Sequence, residues 1–180
     1  MEATTVTRLG EGAEPIESSE WLREFAERYG AAWRALDPEA VAACVAEDVV
    51  WDDPALAAPA RGRGEVADFV RSSGVAFPDL GFTEPGEPAI SEDRLVVYLP
   101  WRMTGTNTGP IDPPGLAPTG KRVDIEGIDV WQFRGGLIWR YRAVYDFAEI
   151  SRQLGLMPPR GGRAETLMVR AQRLRSKLPV

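Results

Sequence analysis

Hydrophobic residues in the first part of the chain recur with the period of an α-helix. Ser18 or Ser19 is a suitable N-cap for this segment, and Asp37-Pro38 predicts the N-cap and first position of a second helix. Aromatic side chains at helical spacing are more often core residues than ligand contacts. The residues that define the first helical face are Trp21, Phe25, Tyr29 and Trp33.

A third helix is predicted between Gly62 and Gly74, with Gly74 as its C′ residue. Elsewhere, apolar and polar residues alternate with a period of two, which indicates β-strands with one buried face. Pro100 interrupts one of these runs and indicates an edge or a bulge. The predicted strands are 49–51, 81–89, 94–104 and a hairpin of Val123–Phe133 and Leu137–Tyr145.

Residues 105–120 contain four glycines and four prolines and show no periodicity, so we expect a loop between two strands. A loop of this length inside a compact domain is often a lid over a binding site. A stiff surface excursion held by its prolines is an equally good interpretation. The glycines match no phosphate-binding motif.

The two ends of the chain differ from the middle. Residues 1–17 contain four Glu and one Arg without apolar periodicity, which predicts a flexible N-terminal extension. Residues 18–158 form the single predicted domain. Residues 159–180 carry a basic amphipathic helix, which we expect to pack on its own subunit or on a neighbouring one. A membrane-surface role for this helix is the weaker alternative.

The chain has a formal net charge of −6, one cysteine and no histidine. An acidic chain is a poor nucleic-acid binder, because such binding rests on Lys and Arg contacts to phosphate. With no possible internal disulfide, signal peptide or membrane span, we expect a cytoplasmic protein without a membrane partner. The lack of imidazole excludes Ser-His-Asp, Cys-His and His-bearing zinc sites, so acid–base chemistry falls mainly to carboxyl groups.

Acidic residues follow two of the predicted strands. Asp52 and Asp53 come directly after 49–51, and because adjacent strand residues point to opposite faces, only one of them can enter a given cavity. Asp146 ends the last strand, in a stretch rich in Trp and Tyr. It is either a catalytic carboxylate or the N-cap of a short helix over 147–154, and the residues alone leave both open.

The chain contains, in order, the segments DPEAVAACVAEDVVWDDP, FPDLGF, WRMTGTNTG, PTGKRVDIEGIDVWQFRGGLI and YDFAEISRQLGLMP. In order and spacing they resemble the SnoaL-like polyketide cyclase branch of the nuclear transport factor two superfamily, over residues 19–158. The resemblance implies an α+β fold, in which a cone-shaped barrel of strongly bent mixed or antiparallel sheet wraps around the N-terminal helices. The C-terminal helix is added to this fold. The resemblance also implies a homodimer.

Members of this family close rings on polyketides by an intramolecular aldol reaction, without a metal or an organic cofactor. The resemblance therefore implies a cyclase, lyase or isomerase type of acid–base enzyme. Its general acid/base is an Asp at the end of the last long strand, which matches Asp146, and Asp129 is the second candidate. The resemblance also assigns substrate contacts around the cavity: Trp51, Asp52, Asp53, Trp131 and, where relatives often carry His, Asn107.

A carboxylate can act alone on such a substrate. A carbon between two carbonyl groups is acidic enough for a carboxylate whose pKa is raised by burial. Trp51, Tyr98 and Tyr145 are candidates for aromatic walls that exclude water and stack a flat substrate. Arg102 or Arg142 would stabilise the developing enolate oxygen. The expected partner is a small carbonyl compound of polyketide or terpenoid size.

Three other functions remain open. An epoxide hydrolase on this scaffold needs an Arg-x-Asp pair and another Asp, but the corresponding positions are Trp101, Met103 and Ala143. A dehydratase or isomerase needs the same single base as a cyclase. A non-catalytic small-molecule-binding module needs only the cavity, since a fold does not determine a function.

Overall fold

The computed structural model describes residues 8–112 and 114–175, which contain five helices and seven strands. The helices are α1 (Ser19–Arg34), α2 (Pro38–Ala43), α3 (Gly62–Ala76), α4 (Phe147–Gln153) and α5 (Arg163–Arg175). The strands are β1 (Val45–Asp52), β2 (Ala60–Arg61), β3 (Gly81–Thr83), β4 (Ala89–Ile90), β5 (Val97–Thr106), β6 (Arg122–Arg134) and β7 (Leu137–Tyr145).

The described strands form one curved, unclosed sheet in the order β2-β1-β7-β6-β5-β3, and β4 pairs with a further part of β5. Strands β1 and β7 run parallel, and the other described pairs are antiparallel. The inner face of the sheet packs against helices α1 to α3 to form the main core. The predicted α+β class, with a bent sheet around N-terminal helices, is confirmed.

The first two helices begin at the predicted capping residues. The Ser18 hydroxyl accepts a hydrogen bond from the Trp21 N–H at 3.0 Å. Asp37 Oδ1 accepts one from the Ala40 N–H at 2.9 Å, with Pro38 at the first helical position. These side chains satisfy N–H groups that have no partner within the helix. Both predicted N-caps are confirmed.

The predicted end of α3 is wrong. The helix continues through Gly74 to Ala76, and the Phe77 N–H donates to the Ser73 carbonyl at 2.9 Å to close the last turn. Pro78 follows Phe77, and a proline disfavours helical backbone in the residue before it. The proline, rather than the glycine, therefore ends the helix.

The central hairpin matches its prediction closely. Strands β6 and β7 are joined by Gly135 and Gly136, whose φ angles of 57° and 71° suit a two-residue hairpin turn. The predicted strand 81–89 is instead two short strands, β3 and β4, which pair with separate parts of β5. Pro100 lies between those two parts, at an unpaired stretch of this edge, as expected of a residue without an N–H.

Residues 8–17 lie along the hairpin and belong to the folded unit. The Gly10 N–H donates to Gln132 Oε1 at 2.8 Å. Ile16 is 3% exposed, and the Arg94 guanidinium donates to its carbonyl at 2.7 Å. The predicted flexible extension is therefore wrong for residues 8–17, because a lone buried apolar residue leaves no periodic signal. The first seven residues lie outside the described part of the chain.

Helix α5 is amphipathic and basic, as predicted, but it is not packed on the domain. None of the described residues Arg163–Arg175 is buried, so packing on a neighbouring subunit stays a prediction. Leu178, near the predicted end of this helix, lies outside the described residues. None of the helices described is long and apolar enough to cross a bilayer. The apolar side chains most exposed on α5 are Leu167, Met168 and Leu174.

Asn107 holds the long loop after β5 against α3. Its side chain is buried, and Nδ2 donates to the carbonyls of Ala76 at 3.2 Å and Gly109 at 2.8 Å. Oδ1 accepts from the Thr119 N–H at 2.8 Å and from its hydroxyl at 3.1 Å. Gly109 lies so close to the Val75 carbonyl that no side chain fits there. One amide thus joins both ends of the loop to the helix.

Asn107→Ala should destabilise the fold strongly. It leaves the Gly109 carbonyl and the Thr119 N–H without the partner that Asn107 provides, which costs about 2–4 kcal/mol of unfolding free energy. Urea denaturation followed by tryptophan fluorescence measures this loss. Thr108→Ala is the matched control, because the Thr108 side chain is exposed, and its effect should stay below about 0.5 kcal/mol. Equal losses in the two variants would contradict the role given to Asn107.

Candidate functional site

A cavity of about 550 Å³ lies between the inner face of the sheet and helices α1, α3 and α4. Its walls are mainly aromatic and aliphatic, with a few polar groups, as is typical of small-molecule sites. The loop after β5 contributes Ile111, Pro114 and Leu116 to the wall. This position favours the lid interpretation of the loop over a surface excursion.

Asp129, on β6, is the most deeply buried carboxyl group in the cavity, at 4% exposure. The Trp101 indole N–H donates to Asp129 Oδ1 at 2.6 Å, and the Tyr141 hydroxyl donates to the same oxygen at 2.7 Å. The Trp131 indole N–H lies near this carboxylate and also favours its charged form, but it is too far away for a hydrogen bond of normal length. Among the described residues, only Oδ1 is therefore held by close donors.

Gly127 makes the Trp101 contact possible. Trp101 on β5 pairs with Gly127 on β6, two residues before Asp129. A Cβ atom at Gly127 would overlap the Trp101 ring, so the missing side chain lets the indole lie across β6 and reach the carboxylate. Tyr141 reaches the same carboxylate from β7, where Ala143 is the register partner of Asp129.

Burial is the largest influence on the Asp129 carboxyl group and raises its pKa to about 7. The hydrogen bonds from Tyr141 and Trp101 favour the charged form and oppose this shift, while the charge of Asp53 adds to it. Both protonation states are therefore populated near neutral pH. A group that first takes and then returns a proton needs this property.

Asp53 provides a second buried carboxyl group in the cavity. It follows β1, is 7% exposed, and accepts hydrogen bonds on Oδ1 from the Tyr145 hydroxyl at 2.6 Å and the Ala55 N–H at 2.8 Å. Burial raises the pKa of Asp53, against the effect of these hydrogen bonds. Burial and the Asp53 charge also raise the pKa of Tyr145, so its hydroxyl stays protonated. Among the described residues, no group of three or more Cys, Asp or Glu side chains is placed to hold a metal ion.

Asp146 lies outside the cavity and caps a helix. Its Oδ1 accepts a hydrogen bond from the Glu149 N–H at 2.9 Å at the start of α4. Its Oδ2 accepts one from Arg160 at 3.1 Å, and the side chain is 53% exposed. The N-cap interpretation is confirmed. The expected position inside the cavity is wrong, because the carboxylate folds back onto the first turn of α4.

Four predicted substrate contacts lie on the outer face of the sheet. Asp52 and Arg142 are register partners in the β1–β7 pair, and Arg142 Nε lies 3.4 Å from Asp52 Oδ2. Arg102 and Tyr98 occupy the face of β5 opposite to the one that lines the cavity. Because strand residues alternate between faces, the structure does not bring these four side chains to the cavity. The expectation that only one of Asp52 and Asp53 enters is confirmed.

Trp51 and Trp131 are fully buried behind the cavity wall. Trp51 stacks on Tyr141 with ring centroids 3.5 Å apart, and Trp131 packs edge-on against Tyr29 at 4.9 Å. Their indole N–H groups have no hydrogen-bond partner within the described part of the chain. The two tryptophans support Tyr141 and Tyr29, which line the cavity. Asn107 likewise holds the loop and does not face the cavity.

Of the predicted site residues, the structure brings Asp129, Asp53 and Tyr145 together in the cavity. Sequence reasoning misses Trp101 as a donor and does not connect Tyr141 with Asp129. Alternation along β5 is a usable signal for Trp101, because it separates the two faces of the strand. Its partner follows only from the pairing register with β6.

Asp129→Asn should change how stability depends on pH. The pKa of Asp129 lies near 7 in the folded protein, above the ordinary 3.8, so the folded state binds more protons between these values and loses stability as pH rises through them. Asn keeps an acceptor for Trp101 and Tyr141 without the charge. Between about pH 4 and pH 8, the unfolding free energy of the variant should therefore rise relative to that of the wild type by roughly 2–4 kcal/mol. Urea denaturation at each pH measures the difference, and a constant difference would contradict the raised pKa.

Comparison with known proteins agrees with this architecture. TsrD from Streptomyces laurentii is similar in fold, with a TM-score of 0.67 and 22% identity over 79% of this chain and 100% of that chain. AclR from Streptomyces galilaeus, a candidate hydroxylase, has a TM-score of 0.66 and 20% identity over 90% of this chain and 100% of that chain. A candidate SnoaL-like polyketide cyclase from Jannaschia sp. CCS1 has a TM-score of 0.67 and 16% identity over 81% of this chain and 99% of that chain.

At these identities the structural similarity shows the fold alone. No curated protein matches the sequence. The model of the SnoaL-like domain family, however, matches residues 26–141, which is more than half of the chain. The chain therefore belongs to the SnoaL-like family.

Proposed function

We propose that this protein is a cyclase-type enzyme that closes a ring on a polyketide-like carbonyl compound, with Asp129 as the acid/base. The proposal rests on one observation: Asp129 lies buried in the cavity wall with two close donors on Oδ1, none on Oδ2 among the described residues, and a pKa of about 7. Membership of the SnoaL-like family supports this class of chemistry. Such a carboxylate can remove an acidic C–H proton without help from imidazole.

The proposed reaction moves one proton and forms one carbon–carbon bond. Asp129 Oδ2 removes a proton from a carbon next to a carbonyl group, and the electron pair of the C–H bond forms an enolate. The enolate carbon attacks a second carbonyl carbon of the same molecule, whose oxygen becomes an alkoxide. Protonated Asp129 returns its proton to this oxygen. The product is an isomer of the substrate, and the reaction needs no oxidant or reductant.

The walls of the cavity support a flat, apolar substrate. Trp33, Phe82 and Trp101 line it as a series of neighbouring aromatic rings. Such rings exclude water and stack on a planar ligand. The same exclusion of water keeps the pKa of Asp129 high, so substrate binding and base strength have one physical cause.

The Tyr145 hydroxyl is the proposed donor to the enolate oxygen, and its single O–H must turn from Asp53 Oδ1 to this oxygen when the substrate binds. Both side chains line the cavity that contains Asp129, and the Tyr145 hydroxyl stays protonated. A donor aimed at the developing negative charge lowers the barrier to proton removal. This assignment replaces the one expected for Arg102 or Arg142, which form exposed ion pairs on the outer face.

Related activities differ in how far they share this site. A dehydratase or isomerase would use the same first step at Asp129. The epoxide hydrolase alternative lacks support, because Trp101, Met103 and Ala143 offer no acid or base. A binding module without turnover would use the cavity but would not need a carboxyl group with a pKa of about 7. The homodimer and the cytoplasmic location stay predictions.

Asp129→Asn should abolish base catalysis, whereas Asp146→Asn should not. The probe is 2-tetralone, a bicyclic ketone whose α-hydrogens exchange for deuterium when a base removes them. Enzyme-dependent exchange in D₂O, followed by proton NMR, should fall about 100-fold or more in Asp129→Asn. Asp146→Asn is the matched control, because Asn caps a helix as well as Asp does.

The pH profile provides a second readout in the same assay. Exchange by the wild type should rise with pH and level off above about 7, because only ionised Asp129 is a base. Circular dichroism checks that both variants are folded. Loss of exchange in folded Asp146→Asn, with exchange retained in Asp129→Asn, would refute the proposal and assign the base to Asp146.

A further inference from the structure

The cavity is lined by acidic side chains and, among the described residues, by no basic one. Histidine is absent from the whole chain. Two of the acidic residues are buried inside the cavity, and the other four are exposed around its mouth. The six are Asp53, Glu65, Asp68, Glu84, Asp112 and Asp129.

Two arginines near the mouth do not reverse this balance. Arg34 contacts Glu84 at 3.8 Å but also binds Glu27 at 2.7 Å. Arg71 binds Asp68 at 2.6 Å and is likewise shared with a second carboxylate. Each guanidinium group therefore serves two carboxylates, and each of these clusters keeps a net negative charge.

A ligand that enters as an anion adds a negative charge to the interior, whereas the enolate of the proposed reaction only takes over the charge of Asp129. Asp129 is already partly ionised at neutral pH and forms no ion pair with any of the described residues. Trp33, Phe82 and Trp101 line the wall as neighbouring rings, with centroids 5.4 Å apart in the first pair and 6.0 Å apart in the second. The face of an aromatic ring carries partial negative charge, which attracts cations and repels anions. A second buried anion would also lose its hydration without gaining a partner.

We propose that the cavity selects its ligands by charge: it takes uncharged or positively charged aromatic-sized compounds and excludes carboxylates and phosphates. A ketone loses little hydration on entry, and an ammonium group gains from both the carboxylates and the ring faces. An anion must pass the acidic mouth and then lie beside Asp53 and Asp129. As a statement about the substrate of ring closure, this inference rests on the proposed function, but binding is measured without turnover.

Three naphthalene derivatives of similar shape and different charge test the inference. They are 2-acetylnaphthalene, which is neutral, 2-naphthylmethylammonium and 2-naphthoate. Isothermal titration calorimetry with the full chain near neutral pH should give Kd values for the first two that are at least about tenfold lower than for 2-naphthoate. Equal or tighter binding of 2-naphthoate would overturn the inference. Failure of all three compounds to bind would overturn it as well.

A charge reversal at the mouth sharpens this test. Asp112→Lys, in the loop that lines the cavity, should strengthen 2-naphthoate binding several-fold relative to 2-acetylnaphthalene binding in the same variant. Glu92→Lys is the matched control, because it makes the same change of net charge at an exposed position between β4 and β5 that does not line the cavity. Equal effects of the two substitutions on 2-naphthoate binding would overturn the inference.

The two proposals can fail separately. A preference for neutral and cationic probes without Asp129-dependent exchange of 2-tetralone would leave the charge selection standing and remove the proposed catalysis. Asp129-dependent exchange without any charge preference would keep the catalysis and remove the charge selection.

Discussion

The burial of the Asp129 carboxyl group without a cationic partner is the constraint on which this site depends. A buried charge is costly unless it is paired, and two hydrogen bonds on Oδ1 reduce that cost only in part. The pKa of Asp129 is therefore raised to about 7. An arginine beside Asp129 would stabilise the charge fully and lower the pKa, which would remove the basicity. Incomplete compensation keeps the group ready to exchange a proton.

The surrounding sheet holds the donors to Asp129 in position. Asp129 lies on β6 between its two long neighbours, so one donor comes from β5 and the other from β7. Gly127 leaves room for the Trp101 indole, and Trp51 stacks behind Tyr141. Such preorganised contacts position a reactive group without reorganisation at the moment of reaction. The dense aromatic core is thus also the support of the site.

The aromatic stripe of α1 shows that core and ligand wall are not exclusive roles. Phe25 packs against the rings of Trp131 and Phe133 in the core. Tyr29 and Trp33, one and two turns further along the same face, are also buried but line the cavity. The difference lies in what stands opposite each residue, because Phe25 is enclosed by the rings of the hairpin whereas Tyr29 and Trp33 also border the cavity. Helical periodicity predicts the buried face but not this change along it.

Features that depend on neighbouring residues were determined by the sequence itself. The caps at Ser18 and Asp37 and the Gly135-Gly136 turn each follow from a few adjacent positions. The period of two along β5 separated its two faces but did not show which of them is the inner one. The resemblance to the SnoaL-like family correctly predicted the α+β architecture as well. The N-cap role of Asp146 was one of the two roles that the sequence left open, and it depends only on a local interaction with the first turn of α4.

Only the tertiary structure determined which acidic residue is buried in the cavity. The donors to Asp129 lie 28 and 12 residues away in the sequence, and the pairing register of β6 with β5 and β7 brings them together. Burial, which sets the pKa, likewise depends on helices and a loop from distant parts of the chain. A sequence shows which residues have acidic side chains, but their protonation depends on how much water the fold leaves around them.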